Sequence, residues 1–148
     1  MPIASFSRSA TVDWTGDVLR GTGAITANSE AFSVPVTFPR LKGEPAGATT
    51  PEELLAASHA TCFGIGLRSV IGHRGGSAER ISVTATITAE KGAGAIRITS
   101  SSLRGRVEGL TGIDAETLSE IARAAEAACT ISALIRPSVA IELDISAA

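Results

Sequence analysis

Hydrophobic and polar positions alternate with a period of two in the first third of the chain, which predicts strands. Three such runs are separated by turn signals, and they cover residues 3–14, 18–27 and 31–38. The run over residues 49–73 is different, because it is apolar on nearly every side. This pattern predicts a helix that is buried rather than one that lies on a surface. Thr50, Pro51 and Glu53 supply its start signal: an N-cap, a first-turn proline and a capping-box carboxylate.

The second half of the chain predicts a long hairpin, an amphipathic helix with Asp114 as its N-cap, a short helical turn and a last strand. In chain order these elements cover residues 80–91, 95–107, 114–129, 130–136 and 139–145. The resulting order is βββ-α-ββ-α-β. It indicates an α+β fold with mostly antiparallel sheets and a long buried helix, in one domain of residues 1–148.

Composition and charge narrow the classes of function. Aromatic residues make up only 3% of the 148 residues, so the core must be aliphatic. The formal net charge of −2 provides no basic field for nucleic acid. Polar residues within the long helix argue against a membrane span. The N-terminal residues lack the apolar segment of a signal peptide, so we expect a reducing, cytoplasmic location. In such a compartment a cysteine pair more often serves catalysis, redox sensing or metal binding than a structural disulfide.

The two cysteines are the candidate reactive groups. Cys62 lies in the middle of the long helix and Cys129 at the end of the amphipathic helix. Cys62 is either a small buried apolar side chain or a nucleophilic thiolate. As a thiolate it would be oxidised to a sulfenic acid, and Cys129 could then condense with it to a disulfide. Burial of both thiols as inert groups remains the alternative.

A reactive thiolate needs a neighbouring cation, and Arg40 and Arg20 are the candidates. Arg40 lies in the loop before the long helix, and Arg20 lies in the predicted second strand. Glu52 precedes Cys62 by ten residues, which is about 15 Å along a helix axis. It therefore cannot contact the thiol of its own helix. If Glu52 acts at the thiol, it must come from a partner copy or hold an arginine that reaches over. This separation therefore suggests a symmetric dimer with sites shared between its two chains.

Histidine offers two further interpretations. His59 is one turn before Cys62, where a hydrogen-bonded core imidazole is favoured over an imidazolium that assists the thiolate. A zinc site formed by His59, Cys62, Cys129 and His73 is a weaker alternative, because the spacing contains no C-x-x-C pair.

Three motifs resemble the OsmC/Ohr family of thiol peroxidases, over nearly the whole chain. They are W-x-G-D at residues 14–17 followed by R-G-x-G, the long TTPEELLAASHATCF at residues 49–63, and A-x-A-x-C at residues 125–129. The first motif is closer to the OsmC branch. The relatives usually carry Cys-Pro-Val-Ser where this chain has Cys129, Thr130, Ile131 and Ser132, so the geometry at the second thiol is expected to differ.

The resemblance implies an intertwined homodimer with the OsmC-like fold that reduces organic hydroperoxides, and hydrogen peroxide more weakly, without a metal or other cofactor. It implies that Cys62 is the peroxidatic cysteine, that Cys129 resolves it to a disulfide, and that Glu52 pairs with an arginine, Arg40 before Arg20. It also implies reduction by a dithiol such as a lipoylated protein. A non-catalytic redox sensor or a small-ligand binder on the same scaffold is the alternative, and a structural dimer with two inert cysteines is another.

Overall fold

The structure is a computed structural model, and it describes residues 3–38 and 47–148. The chain forms two compact units, Met1–Pro51 and Glu52–Ala148. The expectation that they act as one domain stays a prediction.

The first unit contains a three-stranded antiparallel sheet in the order β1-β2-β3. Its strands are β1 (Ala10–Thr15), β2 (Thr22–Ala27) and β3 (Ser33–Val36). All three strands were predicted, but each is shorter than its alternating pattern. Pro35 lies on β3, which pairs with β2 along one side only, as expected for a residue that cannot donate a ladder hydrogen bond.

A turn built on Trp14 and Asp17 joins β1 to β2. The indole Nε1 of Trp14 donates to the carbonyl oxygens of Gly16, at 3.1 Å, and Asp17, at 3.2 Å. The Asp17 carboxylate accepts the backbone N–H groups of Leu19, at 3.0 Å, and Arg20, at 2.7 Å. The prediction that Arg20 lies in the second strand is therefore wrong. Asp17 takes up the N–H groups that a strand would donate to its neighbour.

The glycines of the R-G-x-G motif leave room for this turn. A Cβ atom at Gly23 would lie 2.5 Å from Trp14 Cε3 and 2.7 Å from the carbonyl oxygen of Asp13. A Cβ atom at Gly21 would lie 2.7 Å from Trp14 Nε1. Any side chain at these positions would displace the indole, so the motif has a packing role in the first unit.

The second unit is built around helix α1 and a three-stranded sheet. Its elements are α1 (Pro51–His73, which begins at the end of the first unit), β4 (Arg80–Lys91), β5 (Ile96–Glu108), α2 (Ala115–Ala128), α3 (Thr130–Ile135) and β6 (Ala140–Ala147). The sheet order is β4-β5-β6. The hairpin of β4 and β5 is antiparallel as predicted, but β6 runs parallel to β5. A parallel pair requires a long crossover connection, and α2 with α3 provides it.

The core of this unit lies along one side of α1. His59, Phe63, Leu67 and Ile71 recur at four-residue spacing and are fully buried. Phe63, Leu67 and Ile71 belong to a buried cluster with residues of β5 and α2, including Leu103, Val107, Leu118 and Ile121. The opposite side of α1 faces solvent, and the Ile65 side chain there is 68% exposed. The sequence of α1 is apolar on nearly every side, but contacts within a single chain bury only one face of this helix.

By length and composition alone, α1 would suffice to cross a membrane: it has 23 residues with a mean hydropathy of 1.4 over its most apolar window. The polarity of its sequence is therefore a weaker argument against a span than we expected. Its packing is more informative, because its buried stripe contributes to a core shared with β5 and α2.

Candidate active site

The junction between α2 and α3 brings the two cysteines together. Cys129 ends α2 and begins α3, and its extended backbone (φ −69°, ψ 122°) separates the two helices. Its side chain makes no capping hydrogen bond to α3. The Cys129 thiol instead lies near the Cys62 sulfur, where it acts to lower the pKa of Cys62. Both cysteines are free thiols, Cys62 partly exposed and Cys129 buried. Two residues 67 positions apart in the sequence thus become neighbours.

The Cys62 sulfur lies at the start of α3. The Thr130 hydroxyl is 3.4 Å from Cys62 Sγ, and the backbone N–H groups of Thr130 and Ile131 also act to lower the pKa of Cys62. Burial by itself would raise the pKa of the Cys62 thiol. The polar groups of Thr130, Ile131 and Cys129 near the sulfur outweigh that effect and lower the pKa from 9.0 to about 7. A substantial fraction of Cys62 is therefore thiolate at neutral pH, and the thiolate is the nucleophilic form.

His59 is a satisfied core residue, as the favoured interpretation expected. Its Nδ1 is 2.6 Å from the Ser101 hydroxyl on β5, and its Nε2 is 2.7 Å from the Ser132 hydroxyl on α3. Burial lowers the pKa of His59, and the carboxylate of Glu126 opposes that effect only in part. The ring is therefore neutral near pH 7, with one nitrogen donating and the other accepting. It connects α1, β5 and α3 through hydrogen bonds.

An ion pair holds α3 against the end of α2. Arg136 caps α3 and donates from one guanidinium nitrogen to the Glu126 carboxylate, at 2.8 Å, and to the Glu126 carbonyl oxygen, at 3.2 Å. The two residues bracket Cys129 and Thr130 in sequence. With Ser132 bonded to His59, α3 is attached at two points beside the thiols.

The remaining predicted site residues are Glu52, Arg20 and Arg40. Glu52 is in the first turn of α1, and its Oε2 atom is buried without a hydrogen-bond partner among residues 3–38 and 47–148. Arg20 lies in the Asp17 turn of the first unit. Arg40 lies outside the described residues. The roles of Glu52, Arg40 and Arg20 at the thiol therefore stay predictions.

The zinc alternative loses support from the same geometry. Both ring nitrogens of His59 are engaged by serine hydroxyls, and His73 Nδ1 lies 2.9 Å from the Ser69 carbonyl oxygen. Within the described ranges, no three side chains of His, Cys, Asp or Glu converge as metal ligands.

Sequence reasoning missed three hydroxyls, those of Thr130, Ser101 and Ser132. Thr130 attracted attention only as a departure from the family pattern. Ser101 has a recognisable signal, because it shares the inward-facing register of Leu103 and Val107 on β5. A polar residue in such a register indicates a buried hydrogen-bond partner. Ser132 lies in a helix of six residues, too short for its face to be predicted.

A partly exposed thiol with a lowered pKa beside a second free thiol defines a thiol-based redox protein as a class. Residues 43–144 match the family model described as OsmC-like protein. The chain is also 33% identical to "Peroxiredoxin OsmC" of Escherichia coli (strain K12) over 131 residues, which are 87% of this chain and 90% of that protein. The chain therefore belongs to the OsmC-like protein family.

Solved structures agree with this assignment at the level of the fold. An organic hydroperoxide resistance protein from Elizabethkingia anophelis superposes with a TM-score of 0.80 at 21% identity, over 99% of this chain and 100% of its own. The organic hydroperoxide resistance protein OsmC from Legionella pneumophila gives a TM-score of 0.76 at 24% identity, over 97% and 98%. The predicted α+β, OsmC-like fold is confirmed.

Proposed function

We propose that this protein is a thiol peroxidase that reduces organic hydroperoxides, with Cys62 as the attacking thiolate and Cys129 as the resolving thiol. Membership of the OsmC-like family and 33% identity to a protein named a peroxiredoxin support a cysteine-based peroxidase. The observation that carries the proposal is the Cys62 sulfur: it is partly exposed, it lies 3.4 Å from the Thr130 hydroxyl, and its pKa is lowered to about 7 by groups that include a second free thiol.

The reaction follows from these groups in three steps. The Cys62 thiolate attacks the terminal oxygen of the hydroperoxide, the O–O bond breaks, and the alkoxide takes a proton from water to leave as an alcohol. Cys62 is then a sulfenic acid. The Cys129 sulfur attacks the Cys62 sulfur, the S–O bond breaks, and water leaves as the disulfide forms. An external dithiol, such as a lipoylated protein, supplies two electrons and two protons to restore both thiols and becomes a disulfide itself.

An arginine held by Glu52 completes the proposed site. A buried carboxylate oxygen without a partner is costly, and a guanidinium can satisfy it with two parallel hydrogen bonds. Arg40 is our first candidate for this cation and Arg20 the second. Because α1 is continuous, Glu52 is about 15 Å along the axis from Cys62 of its own chain. We therefore propose that the Glu52–arginine pair serves the thiol of a partner copy.

The exposed face of α1 supports a homodimer. Ala57, Thr61 and Ile65 recur at four-residue spacing on the side away from the buried stripe, and all three are exposed. A Cβ atom at Gly66 would meet no other atom within 4 Å, so the neighbouring surface is open. Small side chains around one exposed isoleucine allow close helix packing, and burial of an isoleucine is worth about 1.5–3 kcal/mol.

The dimer is tested by sedimentation of Ile65→Glu at micromolar concentration. We expect wild type to sediment as a dimer and Ile65→Glu as a monomer. Leu134→Glu is the matched control, because Leu134 is 74% exposed but lies on α3. A wild-type protein that is monomeric at this concentration would rule out the shared site.

The exposed Leu134 side chain on α3 supports a preference for organic hydroperoxides over hydrogen peroxide. Leu134 is four residues after Thr130, so the two share a face of α3. Its exposed side chain is available to contact the alkyl part of a substrate.

The experiment that tests the function is turnover of cumene hydroperoxide and hydrogen peroxide with dihydrolipoamide as reductant. We expect turnover of both, with the organic peroxide faster, and a loss of about a thousandfold or more in Cys62→Ser. Cys129→Ser should accumulate a sulfenic acid instead of a disulfide. Consumption of one peroxide per chain without turnover would indicate a redox sensor, and equal rates for wild type and Cys62→Ser would refute the proposal.

A further inference from the structure

Thr130 is the side chain with the most direct contact to the reactive sulfur. Its hydroxyl oxygen is 3.4 Å from Cys62 Sγ, within hydrogen-bond range for sulfur. Among the residues that the structure describes, the Thr130 hydroxyl has no other hydrogen-bond partner. Thr130 is itself exposed, so the contact is open to solvent on the Thr130 side.

The direction of the hydrogen bond follows from the chemistry of the two groups. A thiol can donate to a hydroxyl, but a thiolate has no proton to donate. When Cys62 is ionised, Thr130 must therefore be the donor. A hydrogen bond to an ionised acceptor is stronger than one between neutral groups, so this contact favours the thiolate over the thiol.

A proline at this position could not perform this role. Proline has neither a hydroxyl nor a backbone N–H, whereas the Thr130 hydroxyl contacts the Cys62 sulfur and the Thr130 N–H also acts to lower the Cys62 pKa. Threonine in place of the proline of the Cys-Pro-Val-Ser pattern thus provides a hydroxyl contact to the sulfur.

We propose that the Thr130 hydroxyl is a catalytic hydrogen-bond donor that stabilises the Cys62 sulfur as a thiolate and orients it for attack. The catalytic part of this inference rests on the peroxidase function proposed above, whereas the effect on the thiol does not. The donor comes from the same chain as Cys62, so it acts whichever arginine completes the site.

The test measures the Cys62 thiol directly, without a peroxide. The rate of alkylation of Cys62 by iodoacetamide, followed by mass spectrometry from pH 5 to pH 10, reports its ionisation. Thr130→Val removes the hydroxyl but keeps the shape, and we expect the midpoint to rise by about one pH unit, equivalent to about 1.4 kcal/mol. Thr130→Ser should titrate like wild type. Thr130→Pro should raise the midpoint at least as far as Thr130→Val, because it also removes the N–H.

Thr99→Val is the matched control, since its hydroxyl bonds to the Thr88 carbonyl oxygen on the neighbouring strand, at 3.3 Å. It should leave the midpoint unchanged. Thr130→Ala repeats the test if valine perturbs the start of α3. A wild-type midpoint in both Thr130→Val and Thr130→Ala would overturn the inference. A raised midpoint in a protein without peroxidase turnover would uphold the hydrogen bond and refute the proposed function instead.

Discussion

His59 and Cys62 lie one turn apart on α1, and both form hydrogen bonds to α3, yet they behave in opposite ways. His59 is fully buried, and each of its ring nitrogens has a serine partner. Cys62 is partly exposed, and the groups around its sulfur favour the charged form. These surroundings favour the neutral form of the imidazole and the ionised form of the thiol.

The comparison shows that a polar residue in an apolar helix is not reactive merely because it is polar. A group whose hydrogen-bonding capacity is used up inside the core contributes to stability and specificity. A group that keeps access to solvent, with donors aimed at it, can react with a second molecule. On α1, the buried His59 and the partly exposed Cys62 are only three positions apart.

The largest expected difference between His59 and Cys62 is in the effect of their substitution on stability. His59→Leu leaves the Ser101 and Ser132 hydroxyls buried without a partner, and each such group costs about 1–3 kcal/mol. We expect a loss of several kcal/mol in the free energy of unfolding by urea. Cys62→Ala should lose less, because Cys62 is only partly buried. Equal losses in the two variants would contradict the division between a structural and a reactive residue.

The second prediction separates the residues by their pH dependence. Cys62 reacts as a thiolate, so its alkylation rate should rise with pH around a midpoint of about 7. His59 has a lowered pKa in the folded state. The unfolded-state pKa of His59 is about 6.5, so below that pH the unfolded chain binds a proton more readily than the folded chain does. The free energy of unfolding therefore falls as the pH falls through this range.

Cys62→Ala and His59→Gln test whether the pH dependence of stability belongs to His59 rather than to Cys62. Cys62→Ala should retain the loss of stability between pH 7 and pH 5, measured by urea unfolding, and His59→Gln should reduce it. If His59→Gln kept the full loss, the proton uptake would belong to another group.

The smallest expected effect concerns Glu126. Glu126→Gln breaks a pair with Arg136, whose side chain is 45% exposed, so we expect a loss of about 1 kcal/mol or less at pH 7. It also removes the charge that raises the His59 pKa. The folded-state pKa should therefore fall further, and the acid-side loss of stability should extend to lower pH. Glu120→Gln, on the same helix and exposed, is the control. Identical unfolding profiles for the two variants would contradict a role for Glu126 near His59.

Local patterns predicted most of the elements. The predicted bounds of β4 match the structure, α1 begins at the predicted Pro51, and Asp114 caps α2 by accepting the Thr117 N–H at 2.8 Å. These features depend on periodicity and capping within a few residues. Arg20 was misplaced because a side-chain carboxylate competed with the strand for its N–H. The direction of β6 was not predictable from alternation, which is the same in parallel and antiparallel strands.

The candidate site, too, was predicted only in part from the sequence. The sequence identified Cys62 and Cys129 as the candidate reactive pair, because the chain has only two cysteines and both lie at the ends or centres of apolar helices. It also predicted His59 as a core imidazole. It did not identify the hydroxyl partners of His59 and Cys62, because Ser101, Thr130 and Ser132 come from elements distant in sequence from α1.

By itself, the sequence determined the helices, the strands and the residue types able to react, since propensity, periodicity and capping act over short distances. Only the tertiary structure decided that the Cys62 sulfur meets the start of α3 while His59 is closed off between two serines. Hydrogen bonds and solvent exposure at a given atom depend on which elements pack together, and a linear pattern does not contain that information.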